Sequence, residues 1–394
     1  MSTADPDVTP DLTPATEAAT LPGHAQLLLA LARPELTAER LAEVRDLAAR
    51  PDLDWGAFVD AAARHKLLPL VGRHVQRHRL DRKTPGSFPY AWVFTSAYLG
   101  NRQRNHALAD EFAQIFRAFG DRGIPYAVRK GFPLAEGEYG DPALRRMTDL
   151  DLLLDRADAA RAREALEHLG YLQGTLAADG DRIEPYSRET QMFWRINLSQ
   201  QLPYRKPGGR LEVHEFDVDL THDIFQKKSG RSAPAAELLA RAVPRVVCGV
   251  DSWVQEPQDR LLDLCVHLHK EATSLFFIEE SIDLQLSKFL DVALVVTPMT
   301  QDDWILFLAR VAQYDAGEIV YYTLHFVDLL HPDAVPAAVL DRLRPENLDY
   351  LDEFGTLDGQ RARWSLGFLA RLFHTGRREE SGHSTIMLGT GTAS

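Results

Sequence analysis

Hydrophobic positions recur every three or four residues along most of the chain. Over residues 24–120 this spacing places apolar side chains on one face of successive helices, and Gly120 and Gly123 resemble the glycines that end helices. The same periodicity returns beyond residue 235. The pattern therefore predicts an N-terminal helical region at 23–120 and a C-terminal helical domain at 235–375.

The segment between these regions has the shorter periodicity of strands. A β-prone run, IPYAVRKG, precedes a short helical pattern, an apolar run that contains LDLLL, and a helix that ends at Gly170. Residues 182–198 and 210–220 alternate between apolar and polar positions, which predicts two strands joined by the turn-rich PYRKPGG. We therefore predict an α+β fold, with a small mixed-sheet core at 121–222 flanked by N- and C-terminal helical regions.

The two ends of the chain lack a periodic pattern. Residues 1–22 and 376–394 are rich in small and polar residues, which predicts disordered tails. The protein has 394 residues, of which 45% are hydrophobic, so the rest of the chain is long enough to bury a substantial core. No apolar run reaches the length of a membrane span, and the first residues lack the pattern of a secretion signal.

Charge and cysteine content narrow the class of protein further. The formal net charge of -13 argues against binding to long nucleic acids, whose phosphates require many Lys and Arg contacts. A single basic cleft for a nucleotide is compatible with this charge. The two cysteines, Cys248 and Cys265, are not spaced for a zinc site and fit a reducing compartment. These features predict a cytoplasmic protein that binds neither membranes nor long nucleic acids.

Two carboxylates lie one residue apart beside the apolar run. Because side chains alternate along a strand, Asp149 and Asp151 would share one face, opposite Leu150 and Leu152. Carboxylates are costly to bury unless they are paired or bind a metal. A capping role explains little, because later aspartates are better placed to cap the next helix. Oxygen ligands of this kind suit Mg²⁺ or Mn²⁺, so we expect a divalent metal site here.

A Lys-Gly turn follows the first predicted strand. Gly131 lets the backbone approach a phosphate where the next helix begins, and Lys130 adds a positive charge. Arg145 and Arg146, which precede the aspartate pair, are further candidates for nucleotide contacts. Strand–Gly–helix turns are also common without any ligand, so the turn alone does not establish a phosphate site.

A later predicted strand, RLEVHEF, carries the next candidates. Glu212 and His214 fall on one of its faces. If this strand returns beside the aspartate pair, Glu212 becomes a third carboxylate ligand or a general base, and His214 a substrate contact. The alternative is an ordinary half-exposed strand with no part in the chemistry.

Two residues of a C-terminal helix are weaker candidates. Lys288 and Asp291 are three apart and therefore share a helical face. They form either a simple ion pair or one wall of an acceptor cleft. His267 and His269 are two apart on a predicted helix, face different directions, and are interpreted as structural.

Taken in order, these motifs resemble a known superfamily. A strand that leads into Lys-Gly, then RRMTDLDLLL, a helix ending in EHLGY, and the strand LEVHEF resemble the nucleotidyltransferases of the DNA polymerase β type. The resemblance is specifically to the bacterial family of uncharacterised nucleotidyltransferases (NTP_transf_5). It extends over about residues 24–330 and includes DWGAFVDAAARHKLLPLVGRHV and the helix with Lys288 and Asp291.

The resemblance implies roles for particular residues. Asp149 and Asp151 match the metal-binding pair, and Glu212 matches the third carboxylate. The matches on the phosphate side are Lys130, Gly131 and Arg145. The resemblance thus implies a Mg²⁺- or Mn²⁺-dependent enzyme that transfers NMP from an NTP, with ATP the first choice. The acceptor would be a small molecule, a peptide or a protein, and pyrophosphate would be released.

Two other functions remain open. The wider superfamily usually has Gly-Ser or Gly-Gly at the turn, whereas this chain has Gly131 followed by Phe132. This departure fits a catalytically degenerate fold that serves as a binding or regulatory protein. A glycosyltransferase also uses an Asp-x-Asp pair, but it needs a βαβ nucleotide-binding half upstream, where this sequence predicts helices.

Overall fold

The computed structural model describes residues 20–82, 85–355 and 360–381. Within these stretches an eight-stranded mixed sheet forms the centre of the molecule. Its strands are β1 (Tyr126–Val128), β2 (Leu150–Leu154), β3 (Leu172–Leu176), β4 (Ile183–Pro185), β5 (Tyr204–Arg210), β6 (Val213–Thr221), β7 (Val243–Val247) and β8 (Val250–Val254). They lie in the order β4-β3-β5-β6-β2-β1-β8-β7.

The pairing at the middle of the sheet determines which side chains meet. β2 is antiparallel to β1 and parallel to β6, and β1 is also parallel to β8. In the parallel pair, Asp151 lies opposite Asp219. Since side chains of paired residues point to the same face, this register places two carboxylates next to each other.

Helices precede the sheet and connect its first strands. The helices before β1 are α1 (Gly23–Leu31), α2 (Ala38–Ala48), α3 (Trp55–Arg64), α4 (Leu68–His78) and α5 (Ala91–Asp121). Those among the strands are α6 (Gly131–Glu136), α7 (Ala159–His168), α8 (Arg188–Asn197) and α9 (Ala235–Leu239), with 3₁₀ turns at Pro142–Leu144 and Arg156–Asp158.

A second group of helices follows the sheet. Its members are α10 (Pro257–Thr273), α11 (Leu275–Glu279), α12 (Leu286–Val296), α13 (Gln301–Gln313), α14 (Gly317–Leu330), α15 (Ala337–Leu343), α16 (Phe368–Phe373) and α17 (Arg377–Glu380). A 3₁₀ turn at Asp349–Asp352 leads into a small antiparallel hairpin, β9 (Glu353–Gly355) and β10 (Arg361–Arg363).

Two hydrophobic cores lie on opposite faces of the sheet. Leu150, Leu152 and Leu154 of β2 join one core with the second half of α5, while Leu153 joins the other core with the N- and C-terminal helices. The 31-residue helix α5 belongs to both cores, because its first half packs among the N-terminal helices. The alternation of side chains along β2, expected from the sequence, therefore separates the two hydrophobic cores.

The fold class predicted from the sequence is confirmed: a mixed sheet is flanked by helices at both ends. One predicted strand is wrong, since residues 182–198 contain only the short β4 and then α8. The Ser187 hydroxyl accepts a hydrogen bond from the Thr190 amide and begins this helix. In addition, the hairpin of β7 and β8 extends the sheet beyond the predicted core, within the region predicted to be helical.

The predicted tails lie mostly outside the described residues, at 1–19 and 382–394. The parts that are described are packed rather than free. Leu21 is buried, and Arg377 is buried in a bidentate ion pair with Asp283. None of the helices in the described stretches is long and apolar enough to cross a bilayer.

The buried side chain of His65 connects the N- and C-terminal helices by a hydrogen bond. It follows α3 directly, and its Nδ1 accepts a hydrogen bond of 3.2 Å from the amide of Leu286 at the start of α12. Its Nε2 is buried without a hydrogen-bond partner among the described residues. Burial, together with the charges of Arg64 and Arg377, lowers the pKa of His65 to about 3. The imidazole is therefore neutral in the folded protein.

This buried histidine predicts a loss of stability in mild acid. The unfolded chain binds a proton at His65 near pH 6.5 while the folded protein does not, so stability is complete above that pH and falls as pH decreases. The slope contributed by one such group is about 1.4 kcal/mol per pH unit below pH 6. In urea unfolding between pH 6 and pH 5, His65→Gln should reduce the slope of unfolding free energy by about 1 kcal/mol per pH unit.

His106→Gln, at an exposed position of α5, serves as the control for this experiment and should leave the slope unchanged. An identical slope in wild type and His65→Gln would contradict a neutral, buried His65.

Candidate active site

Three carboxylates meet on the open face of the sheet. Asp149 immediately precedes β2, Asp151 lies within it, and Asp219 lies opposite Asp151 on β6. Because the intervening leucines of β2 turn into the core, the aspartates turn to the other face. Oxygen atoms of the three side chains lie within 4.8 Å of one another.

The pKa values of these three carboxylates are shifted in different directions. Burial and the neighbouring Asp151 raise the pKa of Asp149, and burial with both other carboxylates raises the pKa of Asp219 well above its usual range. The pKa of Asp151 is lowered: burial opposes ionisation, but the charges of Lys130 and Arg129 prevail. Asp219 Oδ1 is buried without a hydrogen-bond partner among the described residues. Crowded carboxylates with an unsatisfied oxygen are the donor set that a divalent cation fits.

The Lys-Gly turn lies beside this cluster. Both residues have positive φ, 21° at Lys130 and 51° at Gly131, and a Cβ at Gly131 would lie 2.9 Å from Met147 Cε. The strained backbone directs Lys130 Nζ to within 3.1 Å of Asp151 and 3.4 Å of His267 Nδ1. Phe132 points away into the core, where its ring packs edge-on against Phe112. The bulky residue at the turn therefore leaves the cleft open.

A buried ion pair fixes the strand before the turn. Arg129 donates to Asp263 of α10 through Nε at 2.6 Å, and to Thr221 Oγ1 at 2.9 Å through another nitrogen. Its Nη1 also lies 3.8 Å from Asp151. Although burial opposes ionisation of Asp263, the Arg129 guanidinium lowers its pKa. This arginine therefore ties β1, β6 and α10 together beneath the cluster.

Arg145 lies in the cleft wall, but its guanidinium is already bound. Nε donates to Asp291 Oδ1 at 3.0 Å and Nη2 to Oδ2 at 2.8 Å, and Tyr139 donates to the same carboxylate. The segment before β2 is held in place by α5, whose Asn101 and Asn105 side chains both donate to the Arg145 carbonyl. Arg145 thus joins the sheet core to the C-terminal helices.

Lys288 and Asp291 do not form the simple ion pair that their spacing allows. Lys288 instead binds Glu271 of α10, whose other oxygen lies 3.0 Å from His267 Nε2. Both Lys288 and Asp291 line the cleft, as does Arg146, which is exposed. His267, interpreted from the sequence as structural, also lines the cleft, whereas His269 packs edge-on against Tyr322.

The expected position of Glu212 is wrong. It lies in the exposed turn between β5 and β6, before β6 begins, and it does not reach the cleft. His214 is also exposed and outside the cleft lining. The third carboxylate of the cluster is Asp219, further along the same strand. The physical reason is the register, because only the later part of β6 pairs with β2.

The whole cleft has a volume of about 820 Å³, a size typical of sites for small molecules and cofactors. The sheet forms its floor and helices α10 and α12 one wall. Aromatic side chains from α8 and α11 also line it, among them Phe193 and Phe276, which are more than half exposed.

A sequence pattern could have identified Asp219 as the third carboxylate. The stretch FDVDL contains a second Asp-x-Asp alternation, formed by Asp217 and Asp219 of β6.

Comparisons with known proteins agree with this geometry. A family model described as "Uncharacterised nucleotidyltransferase" matches residues 51–332. The matched stretch contains all three carboxylates of the cluster, together with helices of both helical regions. A search of curated proteins found no match.

The crowding of carboxylates predicts how Asp219→Asn changes stability. Removing one negative charge relieves repulsion, so without metal the melting temperature should rise by about 2 °C. Wild-type protein should gain thermal stability on addition of Mn²⁺, because the metal binds the folded state, and Asp219→Asn should lose most of that gain. Differential scanning calorimetry with and without Mn²⁺ measures both effects.

Glu212→Gln is the matched control, since it removes one carboxylate from the same strand region outside the cleft. Its response to Mn²⁺ should equal that of wild type. If Glu212→Gln loses the response and Asp219→Asn retains it, the metal site does not lie at this cluster.

Proposed function

The chain belongs to the family of uncharacterised nucleotidyltransferases, and on this premise we propose that it transfers NMP from an NTP to a hydroxyl group of a small-molecule, peptide or protein acceptor. In this reaction the acceptor oxygen forms a bond to the α-phosphorus, and the bond from that phosphorus to the β-phosphate oxygen breaks. Pyrophosphate leaves, and the hydroxyl proton passes to a base. We take ATP as the first nucleotide to test.

The observation that carries the proposal is the meeting of Asp149, Asp151 and Asp219 at one point of the cleft. Phosphoryl-transfer sites with two metal ions need carboxylates that hold the ions and leave positions for substrate oxygens. The cleft also has room for a nucleotide beside the cluster. Cationic side chains line it, as the charge of a triphosphate requires.

We propose that the three carboxylates hold Mg²⁺ or Mn²⁺. When bound, the metal would neutralise phosphate charge and make the acceptor hydroxyl more acidic. Asp219 is our candidate for the base, because its Oδ1 has no hydrogen-bond partner among the described residues and its pKa is raised by burial and by its neighbours. Lys130, held against Asp151 before any ligand binds, is positioned to contact a phosphate oxygen.

Other side chains position this machinery rather than contact the reacting atoms. The donors of Arg145 are directed to Asp291 and Met147, so its role in our proposal is to hold the segment that leads into Asp149. Arg129 holds Asp263 and Thr221 and stabilises the ionised Asp151. We infer that loss of either arginine would act through the geometry of the cluster.

The alternative functions have less support. The hypothesis of a catalytically degenerate binding protein rests on Phe132 at the turn. The ring of Phe132 packs in the core, however, and does not obstruct the cleft. The glycosyltransferase requires a βαβ half before the aspartate pair, whereas the described residues before β1 form helices. Since NTPs and Mg²⁺ are abundant in the cytoplasm, we propose that the protein acts there.

Transfer of labelled NMP tests the proposal directly. Purified protein with Mg²⁺ or Mn²⁺, each α-³²P-labelled NTP and a fractionated cell extract should label one acceptor class. Because Asp151 belongs to the carboxylate cluster and also contacts Lys130, Asp151→Asn should reduce labelling at least a hundredfold. Glu212→Gln should retain wild-type labelling, because this carboxylate lies outside the cleft.

Pyrophosphate release provides a second measurement on the same samples. It should match the labelled product mole for mole and require the metal. Release that survives in the double variant Asp149→Asn/Asp151→Asn would exclude this cluster as the catalytic centre.

A further inference from the structure

Most cationic side chains of the cleft are matched to a carboxylate. In these ion pairs, the carboxylates neutralise cationic side chains, including some that the sequence motifs suggested as phosphate contacts. The pairs are Lys130 with Asp151, Arg129 with Asp263, Arg145 with Asp291, Arg205 with Asp217, and Lys288 with Glu271. An incoming anion would have to compete with these carboxylates, so the paired cations alone do not account for a phosphate site.

Lys66 and Lys270 differ from the other half-buried cations of the cleft. Both line it, yet neither ammonium has a hydrogen bond or ion pair with any side chain in the described part of the chain. Lys270 lies over the ring of Phe277 at 5.3 Å from its centroid. Arg146 also lacks an ion pair there, but it is exposed and can be solvated. A half-buried ammonium without a counter-charge is unfavourable unless a ligand supplies one.

The position of Lys66 is enforced by its backbone. Its φ is 57°, in the left-handed region that non-glycine residues seldom adopt. On one side His65 is anchored to the start of α12, and on the other the Leu67 amide donates to the Ala62 carbonyl. The Leu67 hydrogen bond is that of a helix end closed by a left-handed residue, and both contacts fix the turn between α3 and α4 that carries Lys66 to the cleft.

Lys270 reaches the cleft from α10. Both lysines line the same cleft as Glu271, and the charge of that carboxylate raises the pKa of each. The cleft lining also contains Asp149 and Asp151, whose charges raise the pKa of Lys66 and of Lys270, respectively.

Local charge agrees with this geometry. Burial, followed by the charge of Lys288, lowers the pKa of Lys66 to about 8. Burial and the charge of Lys130 lower the pKa of Lys270 to about 8 although Glu271 opposes them. Both lysines remain mostly charged at neutral pH, and a bound anion would offset the burial that disfavours their charged form.

We propose that Lys66 and Lys270 form a phosphate-binding subsite in the cleft that also contains Asp149 and Asp151. The inference deepens the proposed nucleotidyl transfer and rests on it for the identity of the substrate. The ligand is a phosphate group with at least two negative charges. Such a group is supplied either by the β- and γ-phosphates of the NTP or by a phosphate on the acceptor.

The first test measures binding of pyrophosphate and of inorganic phosphate to metal-free protein by isothermal titration calorimetry. Lys66→Met and Lys270→Met retain side-chain length and remove the charge. Each should weaken pyrophosphate binding about tenfold or more, the loss of one charge-assisted contact. Lys66→Arg should restore most of the affinity, and Lys228→Met, at an exposed position outside the cleft lining, should not change it.

Thermal unfolding of the same variants separates binding from folding. Removing an unmatched half-buried charge should leave ligand-free Lys66→Met at least as stable as wild type. A variant that binds more weakly yet melts no earlier has lost a ligand contact rather than its fold.

The source of the phosphate is decided by competition. If the subsite binds the nucleotide tail, Lys66→Met and Lys270→Met weaken α,β-methylene-ATP binding but not AMP binding, and the ATP analogue displaces pyrophosphate. If it binds an acceptor phosphate, inorganic phosphate still binds wild type saturated with the ATP analogue, and both variants lose that binding. Affinities for pyrophosphate and phosphate that are unchanged in both variants would overturn the subsite.

This outcome is independent of the proposed reaction. Absence of NMP transfer by wild type would refute the transferase activity while leaving the metal-free binding results interpretable. Conversely, active wild type with unchanged anion binding in both variants would refute only the subsite.

Discussion

Repulsion among the carboxylates at the cleft floor is the constraint on which the surrounding structure depends. Asp149, Asp151 and Asp219 are brought together by the register of β2 with β6. The protein compensates with cations that are themselves held rigidly by strained backbone or buried partners, such as Lys130 and Arg129. Compensation is incomplete, since Asp219 Oδ1 has no hydrogen-bond partner within the part of the chain that the structure describes. The remaining imbalance is the physical basis for the metal site that we propose.

The helical regions complete the electrostatics of the sheet. Asp263, Glu271, Lys288 and Asp291 all come from helices that follow the sheet, and each contacts a charged group at or near the cleft. The N-terminal helices contribute through hydrogen bonds, since the Asn101 and Asn105 side chains of α5 hold the segment before β2. A sheet of this kind without its helices would expose uncompensated charges. The match of one family to residues 51–332 is consistent with this interdependence.

The sequence was informative where the determinants are local. Alternation around Asp149 and Asp151 was enough to predict a shared face, because the period of a strand is fixed by its backbone. It was not enough to choose between Glu212 and Asp219, which lie on the same stretch of chain, because the choice depends on pairing with a distant strand. Residues 188–197 were misassigned because a short amphipathic segment satisfies both periodicities. Lys66 reaches the cleft because of its left-handed backbone and because the neighbouring His65 contacts Leu286. Neither feature can be predicted from the hydrophobic pattern around residue 66.

The ion pair between Arg129 and Asp263 has a consequence for the autonomy of the sheet. These residues are separated by 134 positions, and β8, which completes the pairing of β1, is also contributed late in the chain. During synthesis, the strands that carry the aspartates emerge well before the carboxylate that neutralises Arg129. A nascent chain that stops at residue 222 would have to bury the Arg129 guanidinium without its closest carboxylate, with only Thr221 and the more distant Asp151 beside it, which is unfavourable. The strand-and-helix unit therefore depends on α10 for the charge balance of its buried arginine.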